Sequence, residues 1–135
     1  MSALKISCAV IVDDSNRTLL VRKANTDFYM QPGGKIEDGE SSLACLKREL
    51  MEELGLEFPD DRMDYVGSFS EVAANERNTM LQAEIYFIRQ TCRPMASGEI
   101  AEYIWLDASR ANRDDLAPLT RNVALEIVKK YCGAM

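Results

Sequence analysis

The sequence predicts an α/β fold in which a mixed β-sheet is packed between helices. Three observations carry this. Short runs rich in Val, Ile and Leu are bounded by turn residues, as strands are. Two other segments repeat apolar residues at spacings of three and four, the period of a helix with one buried face. At 135 residues, 47% hydrophobic and 28% charged, the chain has the size and composition of one globular domain spanning residues 1–135.

Residues 5–12 and 18–23 read as strands, joined by the turn-prone Asp13-Asp14-Ser15-Asn16. Gln31-Pro32-Gly33-Gly34 is expected to interrupt regular structure. Between residues 41 and 54, Leu43, Leu46, Leu50 and Leu54 mark the buried face of a helix that Gly55 would close. Residues 63–72 and 79–89 read as a pair of strands. In the second, Leu81, Ala83, Ile85 and Phe87 alternate towards a core. Residues 69–76 are placed at the tip of that hairpin, where a loop can border a binding pocket. Residues 103–106 form a further short strand. Pro118 then precedes a second helix, striped by Leu119, Val123 and Ile127 and by Ala124, Val128 and Tyr131.

Composition excludes several functions. The net charge is −6 and the sequence contains no histidine. An acidic surface does not coat nucleic-acid backbone, so bulk nucleic acid is not an expected partner. Without imidazole, catalysis falls to carboxylate, lysine, tyrosine, cysteine or a bound metal. The four cysteines, Cys8, Cys45, Cys92 and Cys132, are far apart, which predicts reduced, mostly buried thiols. The apolar run at residues 6–12 is too short to span a membrane and lacks a cleavage pattern, so a cytoplasmic protein is expected.

The first helix carries the chemistry. Glu49, Glu52 and Glu53 stand at i, i+3 and i+4, so their carboxylates share one side, away from the leucine stripe. Three like charges repel unless neutralised, and a hard divalent cation would do so; Mg²⁺ or Mn²⁺ suits carboxylate and carbonyl oxygen. Gly33-Gly34 lets the backbone approach the same place. Arg48 has the geometry to fork onto a carboxylate such as Glu40. Clustered glutamates alone are more often a solvated helix face.

The complete spacing decides against that bland reading. Gly34-x5-Glu40-x7-Arg48-Glu49-Leu50-x-Glu52-Glu53-x-Gly55-Leu56 matches the signature of the Nudix hydrolases at every defined position. A chance match has a probability on the order of 10⁻⁸ at average residue usage. The chain therefore resembles a Nudix hydrolase of the MutT type. The resemblance implies a Nudix α/β/α sandwich and hydrolysis of a nucleoside diphosphate linked to another group, with Mg²⁺ as cofactor and Mn²⁺ as an alternative. It also implies that Glu52, Glu53 and the carbonyl of Gly33 are metal ligands, that Glu49 is ligand or general base, and that Arg48 and Glu40 are an orienting ion pair. Glu99, with Glu102 as the alternative, matches the additional glutamate near the last strand. Arg22, Lys23 and Lys35 are candidates for phosphate contacts. Homodimers are frequent in the family, which leaves a homodimer open here.

The substrate is less sharply defined. Some subfamilies carry a proline or a tyrosine 15 to 18 residues beyond the box, marking ADP-ribose or dinucleoside-polyphosphate hydrolases. This chain has Ser70-Glu71-Val72-Ala73-Ala74 there. These absences favour a MutT-like enzyme acting on nucleoside triphosphates, oxidised ones included. The alternatives are an ADP-sugar or other nucleotide-derivative hydrolase and a non-catalytic nucleotide-binding module. Thr120 stands near the position where MutT enzymes use an asparagine to read the base, with Asn122 two residues on. Phe28, Tyr29 and Tyr86 are candidates for stacking on a base.

Overall fold

A computed structural model describes residues 2–133. Seven strands form one sheet: β1 (Ser2–Val12), β2 (Arg17–Lys23), β3 (Tyr29–Met30), β4 (Gly33–Lys35), β5 (Asp64–Val72), β6 (Thr79–Arg89) and β7 (Ile100–Asp107). The path runs β3-β2-β1-β6-β5, with β4 paired to β1 and β7 to β2. β1 and β6 are parallel from Ser2↔Thr79 to Val12↔Arg89, and the other pairs are antiparallel. The mixed sheet expected from the sequence is thus observed.

Residues 8–12 read as a continuous apolar run because both faces of β1 are covered. Ala9 and Ile11 face helix α1 (Ser42–Leu54) and pack with Leu46, Leu50 and Leu54. Cys8, Val10 and Val12 face helix α2 (Leu125–Tyr131) and pack with Leu125, Ile127 and Val128. Helix α1 begins where the Ser41 hydroxyl accepts the Ala44 N–H at 3.1 Å, and Gly55 closes it in the left-handed conformation.

Three expectations need correction. Gly33-Gly34 does not end regular structure: with Lys35 it forms β4, which pairs with Ile6, Ser7 and Cys8. A side chain at Gly33 would put its Cβ 2.1 Å from the Ser7 carbonyl oxygen, so only glycine lets the strands close. The 69–76 segment is strand through Val72, and the loop begins at Ala73. Finally, the helix expected at Pro118 is present, but its residues Thr120–Ala124 form a π-helical turn ahead of α2 instead of regular α-helix. All four cysteines are free. Among the described residues, no helix is long and apolar enough to cross a membrane.

Candidate active site

The site is organised by Arg48, on the surface of α1. Its Nε and Nη2 fork onto Glu40 at 2.7 and 2.9 Å, and Nη2 also donates to the Lys35 carbonyl at 3.2 Å. Its Nη1 reaches Glu49 at 2.8 Å and Glu52 at 3.5 Å. The guanidinium therefore ties the loop, β4 and the acidic helix face together. Glu40 also accepts the Glu37 N–H at 3.1 Å. Arg48, and then that amide, hold its carboxyl down at about 2.

Glu53 differs from its neighbours. Only 5% exposed, it accepts the Gly33 N–H over a long 3.4 Å. Burial first, then the Glu49 carboxylate, pushes its pKa up to about 7, while Lys23 and the Gly33 amide pull the other way. Gly34 lies against Glu49: a Cβ there would stand 2.4 Å from the Glu49 carboxyl carbon. Both glycines of the pair are thus fixed by close approach, one to β1 and one to a carboxylate.

This donor set fits a hard divalent cation. It is all oxygen, and Glu53 is an acid raised first by burial and then by a like charge, the condition that a cation relieves. Among the described residues, no three acidic or thiol side chains form a ready-made cation cage. The hydrogen bonds explain this, since Arg48 draws Glu49 and Glu52 towards itself.

The remaining candidates separate into two groups. Lys23 and Lys35 line one cleft of about 120 Å³ with Gly33, Gly34, Asn75 and Glu76. Lys23 Nζ is also 4.0 Å from Glu99, which is largely exposed in the turn before β7. Glu99 acts on Glu53 as a further like charge, so it belongs to the acidic end of the site. Loop residues 73–76 border the cleft. A larger hollow of about 390 Å³ is formed by the loop and the strand ends that carry it, from Val72 to Thr79.

Others are engaged elsewhere. Arg22 donates to Glu102 at 2.7 Å and to the Thr26 carbonyl at 2.9 Å, and it does not line the cleft. Glu102 lies within β7, where Tyr29 Oη also donates to it, and these two partners lower its pKa. Tyr29 is buried, with the Arg113 guanidinium 5.2 Å from its ring centroid, so its face is covered. Tyr86 is buried, its hydroxyl 2.6 Å from Ser42 and its ring edge-on to Tyr65. Neither tyrosine offers an open stacking surface; both fill the edge of the core. Phe28 is half-buried and does not line the cleft. Asn122 is exposed and donates to Glu71 at 2.9 Å. Thr120 is fully buried and donates to Gln31 at 3.1 Å. Gln31, just before Pro-Gly-Gly and not a candidate from the sequence, lines the cleft and donates to the Ala9 carbonyl at 3.0 Å.

Comparison with known proteins agrees with this geometry. The NUDIX domain family model matches residues 3–127. A Mycobacterium tuberculosis protein provisionally named 8-oxo-dGTP diphosphatase 2 is 32% identical over 109 residues, covering 73% of this chain and 75% of that protein. An RNA pyrophosphohydrolase of Ruthia magnifica is 45% identical over 49 residues, 36% of this chain and 27% of that protein; the chain thus spans about a quarter of that relative. Among solved structures, a MutT NUDIX hydrolase from Burkholderia pseudomallei superposes with a TM-score of 0.77 at 23% identity, covering 93% of this chain and 98% of that one. The MutT protein of Methanosarcina mazei gives 0.75 at 21% identity, with 97% and 96% covered. The family match spans nearly the whole chain and includes the helix on which Arg48, Glu49, Glu52 and Glu53 converge, so this chain belongs to the NUDIX family of hydrolases.

Proposed function

We propose that the chain is a metal-dependent pyrophosphohydrolase of nucleoside triphosphates, oxidised ones included, using Mg²⁺ or Mn²⁺. The observation that carries this reading is the buried Glu53 carboxylate, raised to about 7 beside Glu49 and met by the Gly33 amide. A surface helix with a merely solvated acidic face would not bury one of its carboxylates. The provisional name of the M. tuberculosis relative supports the substrate class. Four unpaired cysteines fit the reducing cytoplasm.

Glu49, Glu52 and Glu53, with the Gly33 carbonyl and with Glu99 as a further ligand, would hold the metal. Bound there, a divalent cation offsets the polyphosphate charge and lowers the pKa of an attacking water. The chain's own residues supply the rest. Arg48 and Glu40 hold the loop to α1 and so fix where Glu49 points. Lys23 and Lys35 stand along the cleft, where phosphate oxygens would meet positive charge. A carboxylate oxygen of Glu49 or Glu53 takes the proton of the attacking water.

The test is phosphate and pyrophosphate release from a panel of nucleoside triphosphates, oxidised dNTPs, ADP-sugars and dinucleoside polyphosphates. Turnover of triphosphates with Mg²⁺ or Mn²⁺, abolished by chelator, is the expected result. Preference for ADP-sugars would overturn the substrate half. No turnover with either metal would make the chain a binding module.

A further inference from the structure

The last turn of α1 is held by a segment distant in sequence. A helix leaves its last four carbonyls without partners of its own. In α1 the Gly55 N–H serves the Met51 carbonyl at 3.1 Å, which leaves those of Glu52, Glu53 and Leu54. Residues 95–97 meet all three. Met95 N–H donates to the Leu54 carbonyl at 2.9 Å, and Ser97 N–H to that of Glu53 at 2.9 Å. The Ser97 hydroxyl donates to the Glu52 carbonyl, 45 residues away, at 2.8 Å. Ser97 thus bonds the backbone of two residues whose side chains belong to the acidic site.

A helix C-terminus carries roughly half a negative charge, which opposes carboxylates in the last turn. No basic residue of α1 lies there to offset it. The donors of Met95 and Ser97 do so instead. The same segment leads to Glu99. Gly98 turns the chain with φ +58°, and a Cβ there would stand 3.5 Å from the Glu52 carbonyl oxygen. Ile100 N–H closes the turn on the Ser97 carbonyl at 3.1 Å, and the Glu99 carbonyl accepts the Ala24 N–H at 2.8 Å, beside Lys23. Pro94 and Ile100 are buried, but Ser97, Gly98 and Glu99 are exposed, so hydrogen bonds rather than packing hold this turn to α1.

We propose that Ser97 is a positioning residue of the cation site. By bonding the Glu52 and Glu53 carbonyls it fixes the turn on the end of α1, and so fixes where Glu99 stands relative to Glu53. A ligand carried by an exposed turn would otherwise have to be ordered at the moment of metal binding. The proposal rests on the reading of Glu99 as a further ligand and adds the residue outside α1 that holds it in place.

The experiment is calorimetric titration of Mg²⁺ at pH 7.5 into wild type, Ser97→Ala, Ser97→Thr, Glu99→Gln and the double variant Ser97→Ala/Glu99→Gln, with thermal melting as a fold check. Ser97→Ala removes one exposed hydroxyl, so its Tm should stay within about two degrees of wild type. Its Mg²⁺ affinity should nevertheless fall by about tenfold. Ser97→Thr, which keeps the hydroxyl, should bind as wild type does. Glu99→Gln should weaken binding at least as much as Ser97→Ala. In the double variant the Ser97 substitution should add no further loss, because the group it positions is gone. Wild-type affinity in Ser97→Ala, or losses that add in the double variant, would overturn the proposal while leaving the cation site intact. Wild-type affinity in Glu99→Gln would overturn the proposal and remove Glu99 from the site, leaving the reading of Glu53 to its own variant. No Mg²⁺ binding by wild type would overturn both readings together.

Discussion

The two faces of the sheet are built differently. On one, α1 is a regular helix capped at both ends, and its charged side chains reach partners between 1 and 20 positions away. On the other, α2 follows a π-helical turn with no side-chain cap, and the buried pair Gln31 and Thr120 joins residues 89 positions apart. The difference is one of range. The charged site takes its carboxylates from one helix at fixed spacing, and a small cavity on the other face is assembled from distant segments. We expect the first to respond to local substitutions on α1 and the second to respond independently.

The largest effect should come from Glu53→Gln. Loss of a buried carboxylate used in catalysis should lower kcat by about 10²–10⁴-fold, measured with any substrate the wild type hydrolyses.

The same substitution should stabilise the metal-free protein at neutral pH. Glu53 has a native pKa of about 7 against 4.5 for an ordinary carboxyl, so the native state retains a proton that the unfolded chain gives up between those values. Its contribution is fully favourable below about pH 4.5 and is lost as pH rises to 7. Glu53→Gln should therefore melt a few degrees above wild type at pH 8, a gap that closes towards pH 4.5. Melting curves across that range in the presence of chelator will check it.

The two glycines sharpen the comparison within the α1 face. Gly33→Ala collides with the backbone of β1, which cannot yield, and its φ of +149° is unsuited to a side chain. Denaturant unfolding should show a loss of roughly 3 kcal/mol or more. Gly34→Ala collides only with the end of the Glu49 side chain. It should cost about 1 kcal/mol of stability but about tenfold or more in turnover, because it displaces a working carboxylate.

Smaller effects follow for the supporting groups. Glu40 is held at about 2 by Arg48, so its contribution is fully present above about pH 4.5 and is lost as pH falls through 2. Arg48→Met should flatten acid unfolding in that window. Ser41→Ala removes the cap of α1 and should cost about 1 kcal/mol.

The α1 face was legible in the sequence because its information is local. The i, i+3, i+4 glutamates, Arg48 with Glu40, and the Gly55 cap are all read from spacing. β4 was not legible, because Gly33 is extended only by virtue of the Ser7 and Cys8 backbone that receives it. Tyr29 and Tyr86 read as stacking candidates, but partners from distant strands and helices cover or engage them. The π-helical turn was not legible: Leu119, Val123 and Ile127 repeat at ordinary helical spacing, and only the structure shows burial stepping by five, from Leu119 and Thr120 to Ala124 and Leu125. Gln31 and Thr120 could not be paired from sequence, since nothing local links them.

The central claim is that the buried acid beside Gly33 belongs to a cation site on α1. Calorimetric titration of Mg²⁺ into metal-free protein at pH 7.5, wild type against Glu53→Gln, tests it most directly. Saturable binding to wild type, weakened at least tenfold in the variant while both remain folded, is the predicted result. Equal binding by the two proteins would contradict it.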